Sequence, residues 1–155
     1  MRTLLITQAK PNPSGKDRSG SFIPPTQLAG EWVDFKNTGN EPYPLKNIEL
    51  QHVAYNALYP NGVWEKVTDF SGTLPVGQVV RVHSGGKIPL DQLLHIDLIG
   101  ADHHIFSGKS YVWNNRQKDM PRLFDTVKRL ELDKAIYDSY PPEGKVLKRV
   151  ADKLI

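Results

Sequence analysis

No cysteine occurs in the 155 residues of this chain. That excludes a disulfide framework, a cysteine-ligated zinc site and a thiol nucleophile. Long apolar runs are missing too. The first ten residues hold only Leu4-Leu5-Ile6 as consecutive strong apolar residues, whereas a signal-peptide core needs about seven to fifteen. No later stretch is long enough to span a membrane. With Met1 as the start, the expectation is a cytoplasmic protein. A large charge excess is also lacking. The formal net charge is +3, too small to require a polyanionic partner.

Glycine and proline are plentiful, at twelve each. They punctuate the chain throughout and favour short strands and turns over long helices. A hydrophobic fraction of 39% is enough for a globular core. The length fits one domain.

The hydrophobic pattern predicts strands. Leu4 to Gln8 reads as the first. Residues 11–27, rich in Pro, Gly, Ser and charge, read as a loop or mobile arm. From Glu31 the alternation is clean: Glu31, Val33 and Phe35 share one face, Trp32, Asp34 and Lys36 the other. The Val33/Phe35 face is the expected core side. Thr38-Gly39-Asn40 supplies residues that tolerate positive φ for a reversal. Ile48 to Val53 is the next strand, and Asn61-Gly62, a strong hairpin dipeptide, joins a Tyr-rich segment to Val63 to Val67. Leu74-Pro75-Val76-Gly77 is a turn that launches Gln78 to His83, and Ser84-Gly85-Gly86 ends that strand. Residues 87–100 fit either one helical turn or a loop. Pro121 to Phe124 and Ala135 to Tyr140 read as the last strands. In Lys145 to Ile155, Val146, Leu147, Val150 and Leu154 lie near helical spacing, so a short amphipathic C-terminal helix is expected. Many short strands separated by turns indicate an all-β sandwich or barrel.

Several of these pieces, in order, resemble the lamin tail domain in its prokaryotic type. Glu31-Trp32-Val33-Asp34-Phe35-Lys36-Asn37-Thr38-Gly39 is similar to that family's opening strand and turn. Glu41-Pro42 through Leu45, with Ile48 and Leu50, is similar to the next strand. Leu74-Pro75-Val76-Gly77 with Val80-Arg81-Val82, then Val112-Trp113-Asn114-Asn115, then Asp138-Ser139-Tyr140, complete the likeness. The chain departs from the family at two turns: Arg116-Gln117-Lys118-Asp119 lacks the usual glycine, and Lys128 to Asp133 is not glycine-rich.

The resemblance implies an immunoglobulin-like antiparallel two-sheet β-sandwich over residues 29–140, with Val33, Phe35, Leu50, Val80, Val82 and Trp113 buried. Residues 1–28 would supply the first strand and a mobile loop, and residues 141–155 a basic tail or short helix. It also implies a non-catalytic module. Family members engage proteins and nucleic acid or stand beside hydrolases and nucleases, and the fold carries no shared active site.

Candidate chemistry is sparse. His95, Asp97, Asp102, His103 and His104 are close in sequence, and imidazole and carboxylate groups bind divalent metals. His95, Asp97, His103 and His104 are therefore the candidates for a metal site. Adjacent His103 and His104 would point to opposite faces of a strand, so only one could join a given site. Ser84, in His83-Ser84-Gly85-Gly86, lacks a nucleophile elbow. Gly85-Gly86-Lys87-Ile88 lacks the Ser or Thr of a phosphate loop. No cofactor is expected.

Trp32 and Trp64 are candidates for an exposed aromatic interface, while Trp113 is expected between the sheets. Lys145, Lys148, Arg149 and Lys153 concentrate positive charge near the C-terminus. The reading is a non-catalytic binding module that acts through its surface, with a protein partner or a second copy of itself. Nucleic acid, held by Lys145, Lys148 and Arg149, is the alternative. A metal-dependent hydrolase comes third.

Overall fold

The computed structural model of the chain describes residues 1–15 and 22–155. Residues 16–21, inside the expected loop, lie outside the described residues. In chain order the elements are β1 (Leu4–Lys10), α1 (Pro25–Ala29), β2 (Trp32–Asn37), β3 (Tyr43–Pro44), β4 (Ile48–Ala54) and β5 (Val63–Asp69). Next come β6 (Thr73–Leu74), β7 (Val79–His83), α2 (His95–Leu98), β8 (His103–Phe106) and β9 (Arg122–Asp125). The chain ends with β10 (Leu130–Lys134), β11 (Leu147–Val150) and β12 (Lys153–Leu154).

The fold is all-β, as the turn-rich sequence predicts, but it has three sheets where two were expected. A six-stranded sheet runs β12-β11-β1-β2-β7-β8, a four-stranded sheet runs β10-β9-β4-β5, and β3 pairs with β6. Most pairs are antiparallel. The exception is β7–β8, which is parallel, with Val80 opposite His103 and Val82 opposite Ile105. A parallel pair needs a crossover rather than a hairpin. Residues 84–102 supply it, and they carry α2.

The core forms between the two larger sheets. Ile6, Val33, Phe35, Val80 and Val82 come from the first; Ile48, Leu50, Val67 and Leu123 come from the second. Trp113 fills the same core. All six residues expected to be buried are buried. Phe35 packs edge-on against Phe70, with ring centroids 5.0 Å apart. Burying a large side chain of this kind contributes about 1.5–3 kcal/mol.

Several local expectations are corrected. The C-terminal helix does not form: β11 and β12 make a hairpin, with Arg149 opposite Leu154 and Ala151 at φ 55. Leu147 pairs with Ala9 of β1, so this hairpin extends the six-stranded sheet. Sheet pairing overrides a helical spacing that only a few residues support. Residues 135–140 contribute isolated bridges at Ile136 and Tyr137 rather than a strand, and the strand lies at β10. Within residues 11–27, Pro25 opens a helix instead of continuing a loop.

The reversal at Thr38-Gly39-Asn40 occurs, but none of the three has positive φ. Gly39 is needed for close approach instead. A Cβ there would stand 2.2 Å from the Met1 carbonyl oxygen.

Candidate functional site

The six-stranded sheet buries both of its faces near β2 and β7. Its inner face meets the second sheet. Its outer face carries Trp32, Asp34, Arg81 and His83, which are buried although most are polar. The crossover covers them. Arg81 donates to both carboxylate oxygens of Asp34, from Nε at 2.7 Å and Nη2 at 2.8 Å. Its Nη1 donates to the carbonyls of Asp97 and Ile99 at 3.1 and 2.7 Å. The guanidinium lies 3.6 Å from the centre of the Trp32 ring. Five N–H donors in a planar fork suit this position, because they tie a strand to a covering loop while holding a carboxylate. Burial raises the Asp34 carboxyl above its ordinary range, against the opposing pull of Arg81 and Gln8.

His83 continues this face toward the sheet edge. Its Nδ1–H donates to the Ala29 carbonyl at 2.6 Å, which leaves Nε2 to accept from His104 Nδ1–H at 2.8 Å. Burial pushes the His83 imidazole down to about 4, with His104, Arg81 and Lys10 acting in the same direction and the Ala29 carbonyl against them. Phe106 stacks on the His83 ring at 4.9 Å.

β8 is the edge. It pairs with β7 on one side and has no strand on the other among the described residues. A groove of about 590 Å³ runs beside it, lined by His103, Ile105, Lys87, Leu90, Leu45 and Leu74 among others. The crossover exposes Leu90, which lines the groove, and further along Leu94, Ile96 and Ile99, at 44, 58, 42 and 50%. These apolar side chains stay exposed because the turn at Leu90–Gln92 and the four-residue α2 are too short to turn every one of them inward. Only Leu93 and Asp97 turn inward to burial in this stretch. The groove, the open strand and this apolar surface form the candidate binding site.

A second buried polar group closes one end of the sandwich. Glu31 Oε1 accepts from Ser84 Oγ at 2.5 Å and from the Val112 and Trp113 backbone N–H groups at 2.8 and 3.4 Å. Burial pushes the Glu31 carboxyl up to about 8, against the pull of these donors. Nearby, Asp119 accepts from the backbone of Val53 and Met120, from Asn114 and from His52. The Trp113-Asn114 segment is thus held by its own buried partners, and Ser84 is a donor inside that network.

Of the residues singled out from sequence, Trp32 and Asp97 meet, with Trp32 Nε1–H donating to Asp97 Oδ1 at 2.9 Å, but the set forms no single site. Trp32, expected at the surface, is 1% exposed and covered by the crossover. Trp64 is half-buried in the other sheet, where Arg122 lies 4.1 Å over its ring. Arg149 is held by Asp133 in two hydrogen bonds of 2.8 and 3.1 Å. Lys145 and Lys148 are exposed.

Of the metal candidates, His95 is exposed, Asp97 faces inward, His103 bonds to Gln78 and His104 to His83. Among the described residues no three His, Asp or Glu side chains are grouped as metal ligands. His103 and His104 do point apart, as a strand requires. Among the described residues no helix is long and apolar enough to cross a membrane.

The sequence reading missed Lys10, Asp34, Arg81 and β8. A signal for Arg81 was present: a lone arginine inside Val79-Val80-Arg81-Val82 needs a buried acid if both faces of its strand are covered. No protein-family model matches the chain, and no curated protein is similar to it in sequence.

Proposed function

We propose that the chain is a non-catalytic interaction module that binds a protein partner at the open β8 edge and the adjoining crossover. One observation carries this reading: the groove beside the unpaired β8 is lined by Leu45, Leu74, Leu90 and Ile105, and the crossover that leads into β8 also exposes Leu94, Ile96 and Ile99. An apolar surface rimmed by polar residues favours association. An open strand offers main-chain donors and acceptors to an added segment. The motif likeness to the lamin tail domain supports an interaction role. The partner that fits is an extended segment with apolar side chains at alternate positions.

A second reading, nucleic-acid binding, draws on Lys145, Lys148 and Lys153. Lys148 and Lys153 are exposed on the β11–β12 hairpin and Lys145 just before it, at the opposite edge of the same sheet.

Selection of binders from a random peptide library tests the first reading. Peptides with alternating apolar residues should be enriched. Their affinity should fall about tenfold or more in a Leu94→Asp/Ile99→Asp variant that unfolds at the same midpoint as the parent, because a buried charge costs at least 1.4 kcal/mol. Unchanged affinity in that variant would remove the crossover from the site.

A further inference from the structure

The Lys10–Asp97 pair takes no part in the groove. Lys10 faces outward because β1 has a register shift between Ile6 and Gln8. Ile6 and Ala9 both turn into the core, and Lys10 comes to lie opposite Trp32. From above, α2 lowers Asp97 onto both. Lys10 Nζ stands 2.5 Å from Asp97 Oδ1, and the two side chains are 3 and 0% exposed. Trp32 Nε1–H donates to the same oxygen at 2.9 Å. The other carboxylate oxygen, Oδ2, is buried without a hydrogen-bond partner among the described residues.

An ion pair is poorly matched to this site. An ammonium has three donors to satisfy and a carboxylate two oxygens, and each unmet group in a dry interior is costly. Here one oxygen serves both Lys10 and Trp32 while the other serves neither. An amide between the same atoms fits better. It retains Oδ1 as the carbonyl oxygen that Trp32 already approaches and discards Oδ2, the oxygen without a donor. Its nitrogen keeps a single N–H.

We propose that Lys10 and Asp97 condense into an intramolecular isopeptide bond, which fastens the crossover covalently to β1. A proton passes from Nζ to the carboxylate, leaving an amine beside a carboxylic acid. The amine nitrogen attacks Cγ. Negative charge develops on Oδ1, where the Trp32 N–H meets it. The Nζ–Cγ bond forms and the Cγ–Oδ2 bond breaks. A second proton from nitrogen joins the departing hydroxyl, and Oδ2 leaves as water. Ammonium plus carboxylate thus give amide plus water, with no oxidant, reductant or co-substrate. Contact between the reacting groups replaces a bimolecular encounter. Burial keeps water from reversing the step.

Lys10 and Asp97 belong to the reaction, and Trp32 touches the reacting oxygen. The bond would close the long loop between β1 and α2, which constrains the unfolded chain as a disulfide does in a protein that has no cysteine.

Mass spectrometry of the intact, folded chain tests the proposal. The wild type should weigh less than its sequence mass by one water. Its protease digest should contain a branched peptide that joins the segment around Lys10 to the segment around Asp97. Lys10→Arg should restore the full sequence mass. Asp97→Asn should lose one ammonia in place of one water, and Trp32→Phe should slow the loss. Wild-type protein at full sequence mass after prolonged incubation, with both residues recovered in linear peptides, would overturn the proposal. So would a deficit that persists in Lys10→Arg. The wild-type digest decides the matter even if a variant fails to fold.

Discussion

Glu31 shows how burial makes one side chain sensitive to pH. Its carboxyl is pushed up to about 8 by burial, from 4.5 when free. The folded protein therefore holds a proton on Glu31 that the unfolded chain releases between those values. The associated stability is fully present below pH 4.5 and is lost as pH rises through about 8. The change is on the order of 4–5 kcal/mol, at about 1.4 kcal/mol per pH unit. Glutamine keeps an acceptor for Ser84, Val112 and Trp113 but does not titrate. Glu31→Gln should therefore gain stability relative to the wild type as pH rises from 5 to 8, measured by urea unfolding at each pH. Parallel curves for the two proteins would show that Glu31 is ionised in the fold. His83 acts in the other direction. Its folded value of about 4 lies below its free value of 6.5, so its contribution is present above pH 6.5 and fades toward pH 4.

Among the elements, the β11–β12 hairpin is the one whose role differs most from its appearance in the sequence. Four basic residues and a Pro-Pro boundary suggest a detachable tail. In the fold, Leu147 and Leu154 belong to the core and Arg149 clamps Asp133 and the Ile6 carbonyl. Removing residues 143–155 would leave β1 as an edge and uncover core side chains. Losing two buried leucines alone costs roughly 3–6 kcal/mol. The truncated chain should unfold at a clearly lower urea midpoint, or fail to fold. An unchanged midpoint would mean that the hairpin does not pack as described. A truncation is accordingly a poor probe of what the basic residues bind, and point substitutions at Lys145 and Lys148 are the right ones.

At the scale of the molecule, the two edges of the six-stranded sheet differ in chemistry. Leu90 lines the groove beside β8, whereas the β11–β12 edge exposes Lys148 and Lys153 alongside Val150 and Ile155. With a net charge of +3, a patch of this size offers few phosphate contacts. Double-stranded DNA titrated across a salt series should bind weakly at low salt and lose affinity by physiological salt. The slope of log K against log salt should be no steeper than about −3, as expected for some three neutralised phosphates. Tight binding that survives physiological salt and disappears in Lys145→Glu/Lys148→Glu would place nucleic acid ahead of a protein partner.

The sequence by itself determined the all-β class, most of the strands and the core. Val33, Phe35, Leu50, Val80 and Val82 alternate with the period of a strand, and that periodicity is local. Turn chemistry at Asn61-Gly62 and Leu74 to Gly77 is local as well, and Gly62 and Gly77 both adopt positive φ. The tertiary structure decided the rest, because the rest depends on pairing between distant segments. β8 is too short to show a period, and it forms because β7 offers it a parallel edge. The C-terminal residues have helical spacing, yet β1 has a free edge and takes them as strands. The outer face of β2 looks solvated in the sequence, since Asp34 and Lys36 alternate with Val33 and Phe35. Only the return of the crossover over that face buries Trp32, Asp34 and Arg81. The same return sets Asp97 against Lys10, 87 positions away in the chain. No spacing rule links two residues so far apart, and only the folded chain puts them in contact.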